Sequence, residues 1–145
     1  MGDLSKDINT TFPNSKVKAL LNIIYTANWL NSKQNEYFKP YGISPQQYNI
    51  LRILRGAGEP IAVQTIKDRM LERAPNATRL MDKLCAKGLI NRIPCATDRR
   101  VVHIEIAKDG LALLKTIDKS KREDLLKKIT AKEAEMLSDL LDKLR

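Results

Sequence analysis

The sequence predicts a mainly α-helical protein with one small β-hairpin. Apolar side chains recur every three or four residues along most of the 145-residue chain, which is the spacing of amphipathic helices. The stretch "CATDRRVVHIEI", residues 95–106, differs, because a polar turn precedes strictly alternating apolar and polar side chains. Such alternation is typical of a half-buried strand. The length suits one domain, so we expect a single domain over residues 1–145.

Apolar spacing and helix-end residues place the first two helices. The first spans about residues 14–37, and the proline and glycine of residues 40–42 interrupt the chain after it. Ser44 and Gln47 then form a capping box, in which each side chain accepts a hydrogen bond from the other residue's backbone N–H. The second helix therefore begins there and runs to about residue 55, where the sequence "GAGEP" ends it.

Two short helices follow, joined by a tight turn. Residues 63–70 repeat apolar side chains at helical spacing, and the sequence "RAP" turns the chain into a fourth helix. Pro75 suits the first helical position, and Gly88 supplies the left-handed conformation that ends a helix. We therefore expect the fourth helix to run from about Pro75 to Lys87.

Two more helices are expected beyond the hairpin. The fifth is predicted over about residues 111–129. Thr130 and Glu133 form a second capping box, so the sixth helix begins there and continues to the end of the sequence. Its apolar stripe has i, i+3, i+4, i+7 spacing and consists of Leu137, Leu140, Leu141 and Leu144.

The third helix, the fourth helix and the hairpin together form the pattern of a winged helix-turn-helix. In that fold the second helix of the pair enters the DNA major groove. On a helical wheel, Ala77, Leu80, Met81 and Leu84 of the fourth helix face inward. Its outward face is polar and basic and consists of Pro75, Thr78, Arg79, Asp82, Lys83 and Ala86, with Asn76 at the margin.

This outward face suits DNA recognition. Arg79 can chelate a guanine, Asn76 can read an adenine, and Thr78 can contact a base or a phosphate. Arginine on a narrow hairpin loop can enter the minor groove, and we expect Asp98 to hold the arginine guanidinium in position. The candidate DNA-binding residues are therefore Pro75, Asn76, Thr78, Arg79, Lys83, Asp98, Arg99 and Arg100.

The charge is concentrated in the same region. Lysine and arginine number 26 against 17 aspartates and glutamates, which gives a formal net charge of +9. Residues 50–100 hold eleven basic and five acidic side chains, and therefore two-thirds of the excess. A polyanionic partner such as double-stranded DNA fits this distribution.

Residues 76–110, "NATRLMDKLCAKGLINRIPCATDRRVVHIEIAKDG", resemble the MarR (multiple antibiotic resistance regulator) family of transcription factors. They match the family pattern T-R-L-x-D-x-L-x-x-K-G-L-[IV]-x-R and most of the pattern D-x-R-x(5)-L-T-x-x-G. The resemblance extends over "ISPQQYNILRIL" and the terminal helices, and so covers nearly the whole chain. It implies a recognition helix from about Pro75 and a wing-tip arginine, Arg100, with Asp98 beside it.

The resemblance also implies an assembly and a partner. The winged helix-turn-helix would span about residues 44–108, and helices over about 14–40 and 109–145 would intertwine in a homodimer. Such a dimer would bind a pseudo-palindromic DNA operator and act as a repressor without a cofactor. We expect a cytoplasmic protein with no membrane partner, because the sequence shows neither a targeting segment nor a long apolar run.

Two residues depart from the family pattern. Ala107 replaces the usual threonine before the fifth helix, and Ala74 occupies the expected N-cap of the recognition helix. Each missing cap is expected to cost about 1 kcal/mol of local helix stability. Neither change removes a DNA-contacting group.

The aromatic residues suggest where an effector binds. All seven aromatic residues precede residue 49. Members of the MarR family often release DNA when a small aromatic or phenolic ligand fills a cleft at the junction of the first, second and fifth helices. Tyr25, Trp29 and Tyr48 belong to the first two of these helices, and aromatic walls with polar tips suit such a ligand. Packing in the core is the alternative role for these three residues.

Other classes of function fit the sequence less well. An enzyme is disfavoured because the only histidine, His103, lies on the outward side of a strand. The spacing of Cys85, Cys95 and His103 matches no zinc site. A thiol-redox regulator of the same fold stays open, with Cys85 expected to be half-buried and Cys95 exposed. A protein-interaction adaptor that does not bind DNA also stays open.

Overall fold

The computed structural model describes residues 2–73 and 75–145. It is mainly helical with a small antiparallel sheet, as the sequence predicts. In chain order the elements are α1 (Leu4–Asp7), α2 (Ser15–Phe38), a 3-10 turn (Lys39–Tyr41), α3 (Pro45–Ala57), β1 (Ile61–Ala62), α4 (Val63–Arg69), α5 (Ala77–Ala86), β2 (Ile90–Pro94), β3 (Val102–Ile106), α6 (Lys108–Lys119) and α7 (Ala131–Asp142).

The sheet has three strands in the order β1-β3-β2, and both pairings are antiparallel. β2 and β3 are the predicted hairpin, and Arg92 pairs with Ile104. β1 was not predicted, because two residues are too few to show an alternating pattern. Ile61 of β1 pairs with Ile104 from the other side, so the fully buried Ile104 lies at the centre of the sheet.

The hydrophobic core is built around α3. Ile50, Leu51 and Leu54 lie on one face of this helix and are essentially inaccessible to solvent. Side chains from the surrounding helices and from the hairpin complete the core. The largest of these fully buried side chains are Phe38, Ile66, Met81, Leu84, Ile90, Ile104 and Leu114.

Both predicted capping boxes are confirmed. The Ser44 hydroxyl accepts a hydrogen bond from the Gln47 N–H at 3.1 Å, and the Gln47 side chain accepts one from the Ser44 N–H at 2.9 Å. Thr130 and Glu133 form the same arrangement at α7. There the hydrogen bond from the Thr130 N–H lowers the pKa of the Glu133 carboxyl. α6 begins after Ala107 without a side-chain cap, as expected.

The predicted recognition helix begins slightly later than expected. α5 starts at Ala77 rather than at Pro75, and Asn76 occupies its N-cap position without a side-chain capping hydrogen bond. Pro75 and Asn76 belong to the turn that precedes the helix. The predicted N-cap residue, Ala74, lies outside the described residues.

The prediction that the fifth helix continues to about residue 129 was wrong. α6 ends at Lys119, and Ser120 adopts an extended conformation with ψ of 146°. The Ser120 hydroxyl donates to the Ile117 carbonyl at 2.7 Å and also bonds to the Tyr37 hydroxyl. The Arg122 guanidinium then lies 5.2 Å from the ring centre of Tyr37. These contacts with α2 require the chain to leave the helical path.

Two helices expose much of their apolar surface. The side chains of Leu20 and Ile24 on α2 are 59% and 51% exposed. α7 contains no buried residue, and its Leu140 is 57% exposed. Among the residues that the structure describes, no helix is long and apolar enough to cross a membrane.

Gly110 sets a close contact between α6 and the start of the hairpin. A Cβ atom at this buried position would lie 2.3 Å from the Leu89 carbonyl oxygen. The same oxygen accepts a hydrogen bond from the Ala107 N–H at 3.0 Å, so it has little freedom to move. Only glycine allows the helix to approach the backbone this closely.

We therefore predict that Gly110→Ala lowers the free energy of unfolding by about 1–3 kcal/mol, the usual effect of overpacking. Gly56→Ala is the matched control, because Gly56 is also helical and a Cβ there meets nothing within 4 Å. That control should be neutral or more stable by up to ~1 kcal/mol. Urea unfolding at one protein concentration measures both variants. Equal stability of the two variants would contradict the proposed close approach.

Candidate nucleic-acid interface

The orientation of α5 follows from its buried face. Ala77, Met81 and Leu84 are buried against the core, and Leu80 is half-buried. α5 packs on α3 and on β2, so the helix-turn-helix and the wing form one unit. The predicted inward face is therefore confirmed.

The opposite face of α5 is open to solvent. The predicted residues Pro75, Thr78, Arg79, Asp82, Lys83 and Ala86 are all exposed, and so is Asn76. Within the described part of the chain, Thr78, Arg79 and Lys83 make no side-chain hydrogen bond or ion pair. Because Asn76 makes no capping bond, its amide is also available. The helix thus presents an amide, a hydroxyl, a guanidinium and an ammonium group side by side.

An ion pair joins this helix to the wing. The Arg92 guanidinium on β2 donates to the Asp82 carboxylate on α5. The sequence placed Asp82 on the outward face but did not indicate this partner, because the chain reverses direction between the two residues. The pair adds a polar contact to the packing of α5 on β2. It is partly exposed, so we expect its contribution to stability to be small.

The wing tip is organised by Asp98, in a way that differs from the expectation. The Asp98 carboxylate accepts a hydrogen bond from the Arg100 backbone N–H at 2.9 Å, and no ion pair with a guanidinium is found among the described residues. The Asp98 carbonyl also accepts from the Val101 N–H at 3.1 Å. Asp98 therefore shapes the turn, because short polar side chains readily bond to backbone two residues ahead. Arg99 and Arg100 project from this turn and are exposed.

The two cysteines lie in different surroundings. Cys85 is half-buried on α5, as predicted, but Cys95 is also half-buried rather than exposed. The Thr97 hydroxyl lies 3.2 Å from the Cys95 sulfur. Hydrogen bonds from Thr97, followed by one from the backbone of Asp98, lower the pKa of the Cys95 thiol. His103 is half-buried in β3, opposite Ala62 and Ile93 of the neighbouring strands.

Two basic residues next to the recognition helix were not singled out from the sequence. Lys67 and Arg73 line a cavity of about 570 Å³ between α4 and the turn before α5, together with Pro75. Both extend the basic surface from α5 toward α4. The concentration of positive charge in residues 50–100 was the only signal for them.

The three candidate effector residues are divided between two places. Tyr25 and Trp29 line one cavity of about 360 Å³ beside α1. The centre of the Tyr48 ring instead lies 4.4 Å from that of the Phe38 ring, where α3 packs on α2. The Arg52 guanidinium donates to the Tyr48 hydroxyl at 3.0 Å, and this hydrogen bond raises the pKa of Arg52. The structure therefore brings Tyr25 and Trp29 together and separates them from Tyr48.

Known proteins with similar sequences share this architecture. The sequence model of the MarR family matches residues 43–102. The multiple antibiotic resistance protein MarR of Salmonella typhimurium is 31% identical over 127 residues, which cover 84% of this chain and 88% of that protein. The HTH-type transcriptional regulator MhqR of Bacillus subtilis is 28% identical over 115 residues, or 77% of this chain and 79% of that protein.

Solved structures agree with the sequence comparisons. A mutant of MarR from Escherichia coli, crystallised in complex with operator DNA, superposes with a TM-score of 0.76 at 27% identity and covers 99% of both chains. A MarR transcription factor from Planctomyces limnophilus gives a TM-score of 0.65 at 32% identity, with 92% of this chain and 95% of that chain covered.

Proposed function

The chain belongs to the MarR family, whose members are transcription regulators and not enzymes, and we propose that it binds operator DNA as a dimeric repressor. The observation that carries the proposal is the exposed face of α5, which lies beside a wing that ends in two arginines. Double-stranded DNA is the partner that fits this surface, because its major groove accommodates an α-helix while a basic hairpin contacts the DNA beside it.

The two parts of the surface are proposed to read DNA differently. In the major groove, Arg79 donates two hydrogen bonds to a guanine and Asn76 pairs with an adenine. Thr78 and Lys83 contact the neighbouring bases and phosphates, and Pro75 packs at the start of the helix. On the wing, Arg100 enters the minor groove, where the negative potential is strongest. Asp98 holds the turn that presents Arg99 and Arg100.

Arg79→Ala and Arg100→Ala should therefore weaken DNA binding in different ways. Loss of Arg79 should cost about 1–3 kcal/mol on the cognate site and little on random DNA, because it removes base readout. Loss of Arg100 should weaken binding to both DNAs and reduce the slope of log affinity against log salt by about one unit or less. Fluorescence anisotropy on a site enriched from genomic fragments, at several salt concentrations, measures both effects.

Lys115→Ala is the matched control, since it removes one exposed positive charge from α6. It should leave the affinity for the cognate site nearly unchanged. Equal losses on cognate and random DNA for Arg79→Ala would contradict base reading. A chain that shifts no sheared genomic DNA in a gel at low salt would instead be a protein-interaction adaptor, because phosphate binding strengthens as salt falls.

A second copy of the chain is proposed to cover the exposed apolar surfaces. The leucine stripe of α7 and the Leu20–Ile24 face of α2 expose apolar side chains side by side, which is typical of a protein interaction surface. Twofold symmetry then places two recognition helices about one turn of DNA apart, or roughly 10 base pairs from centre to centre. A pseudo-palindromic operator is the matching DNA sequence.

We expect the protein to sediment as a dimer at micromolar concentration and Leu140→Glu to shift it toward monomer, because the substitution places a charge in the apolar interface. Ser138→Glu is the control: it introduces the same charge on the same helix but away from the leucine stripe. Analytical ultracentrifugation distinguishes the species. A monomeric wild-type protein, or equal dissociation of both variants, would contradict this interface.

Release from DNA by a small aromatic ligand is the last part of the proposal. Of the three candidate residues, Tyr48 lies where α3 of the winged unit packs on α2, one of the proposed dimer helices. The Arg52 guanidinium lies 5.8 Å from the centre of the Tyr48 ring, and the Arg122 guanidinium lies 5.6 Å from the centre of the Phe38 ring. These cations suit an acidic phenol, whereas Tyr25 and Trp29 line a different cavity.

We predict that salicylate releases the protein from operator DNA and that Tyr48→Leu raises the salicylate concentration needed by about two- to tenfold, the usual contribution of one aromatic contact. DNA must weaken salicylate binding by the same factor by which salicylate weakens DNA binding. Tyr25→Leu is the control and should leave the response unchanged. If only the control variant loses the response, the phenolic ligand binds beside α1 instead.

A further inference from the structure

The N-terminal residues fold back onto α2 and form an open cavity with it. Leu4 of α1 is buried, being only 4% exposed. Asp3 caps α1 through the Ser5 N–H at 3.1 Å and pairs with Lys18 of α2 at 3.3 Å. A cavity of about 360 Å³ lies between the two helices, and Trp29 forms part of its wall. That volume is within the range of small-molecule sites.

This cavity is on the side of α2 away from the proposed dimer surface. Asn22, Thr26 and Trp29 are spaced i, i+4, i+7, and Tyr25 lies beside them, so the four side chains share one face. Leu20 precedes Trp29 by nine residues, which at roughly 100° per residue places it on the opposite side of the helix. The face that we expect a second chain to cover is therefore a different one.

The chemistry of the lining is acidic and aromatic. Among the described residues that line the cavity, Asp7 is the only one with a charged side chain. Within the part of the chain that the structure describes, the Asp7 carboxylate makes no ion pair and no side-chain hydrogen bond. Tyr25 and Trp29 are 42% and 44% exposed, so a ligand can reach them.

We propose that the α1–α2 cavity binds a small organic cation with an aromatic or aliphatic body. The faces of tyrosine and tryptophan rings attract cations, and a nearby carboxylate adds charge neutralisation. The Thr26 hydroxyl donates to the Asn22 side-chain oxygen at 3.2 Å, which leaves the Asn22 amide and the threonine oxygen for further polar contacts. A benzoate-like anion would meet the Asp7 carboxylate, and the described lining residues include no lysine or arginine to offset it.

The single tryptophan allows a direct test on the DNA-free protein. Trp29 fluorescence is titrated with phenyltrimethylammonium and, in parallel, with its neutral isostere tert-butylbenzene and with the anion benzoate. We expect saturable quenching by the cation with a dissociation constant at least tenfold lower than for the other two compounds. The isostere has the same shape, so the difference measures the positive charge.

Variants assign the effect to this cavity. Asp7→Asn should weaken cation binding at least fivefold, whereas Asp68→Asn, which removes the same charge from α4, should not change it. Tyr25→Leu should weaken cation binding and Tyr25→Phe should retain it, because the ring face is the binding group. Circular dichroism confirms that each variant is folded.

Several outcomes would overturn the proposal. These are no saturable quenching by the cation, equal binding of the neutral isostere, or equal affinity of Asp7→Asn and the wild-type protein. DNA binding is measured separately, so failure of the repressor function does not affect the result. Loss of the cation site likewise leaves the proposed DNA contacts intact.

Discussion

Burial of one face of α3 is the interaction on which the other elements depend. Ile50, Leu51 and Leu54 are almost completely inaccessible, and α2, α4, α5, α6 and β3 all pack against this helix. The inward residues of α5 belong to the same core, so their burial determines which side chains of α5 face solvent. The direction of the proposed recognition surface is therefore a consequence of core packing.

A second set of contacts joins the terminal helices to this core. Tyr37 packs edge-to-face on Phe38, with ring centres 4.9 Å apart, and its hydroxyl contacts Ser120 at the end of α6. Arg55 of α3 pairs with Asp118 of α6 at 2.6 Å. A change in the position of α2 or α6 would thus be transmitted to α3. In the proposed dimer, this is a physical route by which the proposed ligand would alter the spacing of the two recognition helices.

Two surfaces of different character lie in different parts of this chain. The outward face of α5, the wing and the cavity beside α4 expose basic groups, whereas α2 and α7 expose several leucines and isoleucines. Such a pair of surfaces suits a protein that binds a polyanion with one and a copy of itself with the other. The cavity beside α1 belongs to neither surface. Its carboxylate and aromatic rings suit a third kind of partner, the proposed organic cation.

The sequence by itself determined the features that depend on neighbouring residues. Capping at Ser44 and Thr130, the inward face of α5 and the β2–β3 hairpin could all be predicted, because caps and periodicity act within one or two turns. Tertiary structure alone decided the end of α6 at Lys119, the short strand β1 and the separation of Tyr48 from Trp29. Each of these features depends on a partner far away along the chain: Ser120 contacts Tyr37, and Ile61 pairs with Ile104. Such contacts form only when distant segments pack together, so a local sequence pattern does not predict them.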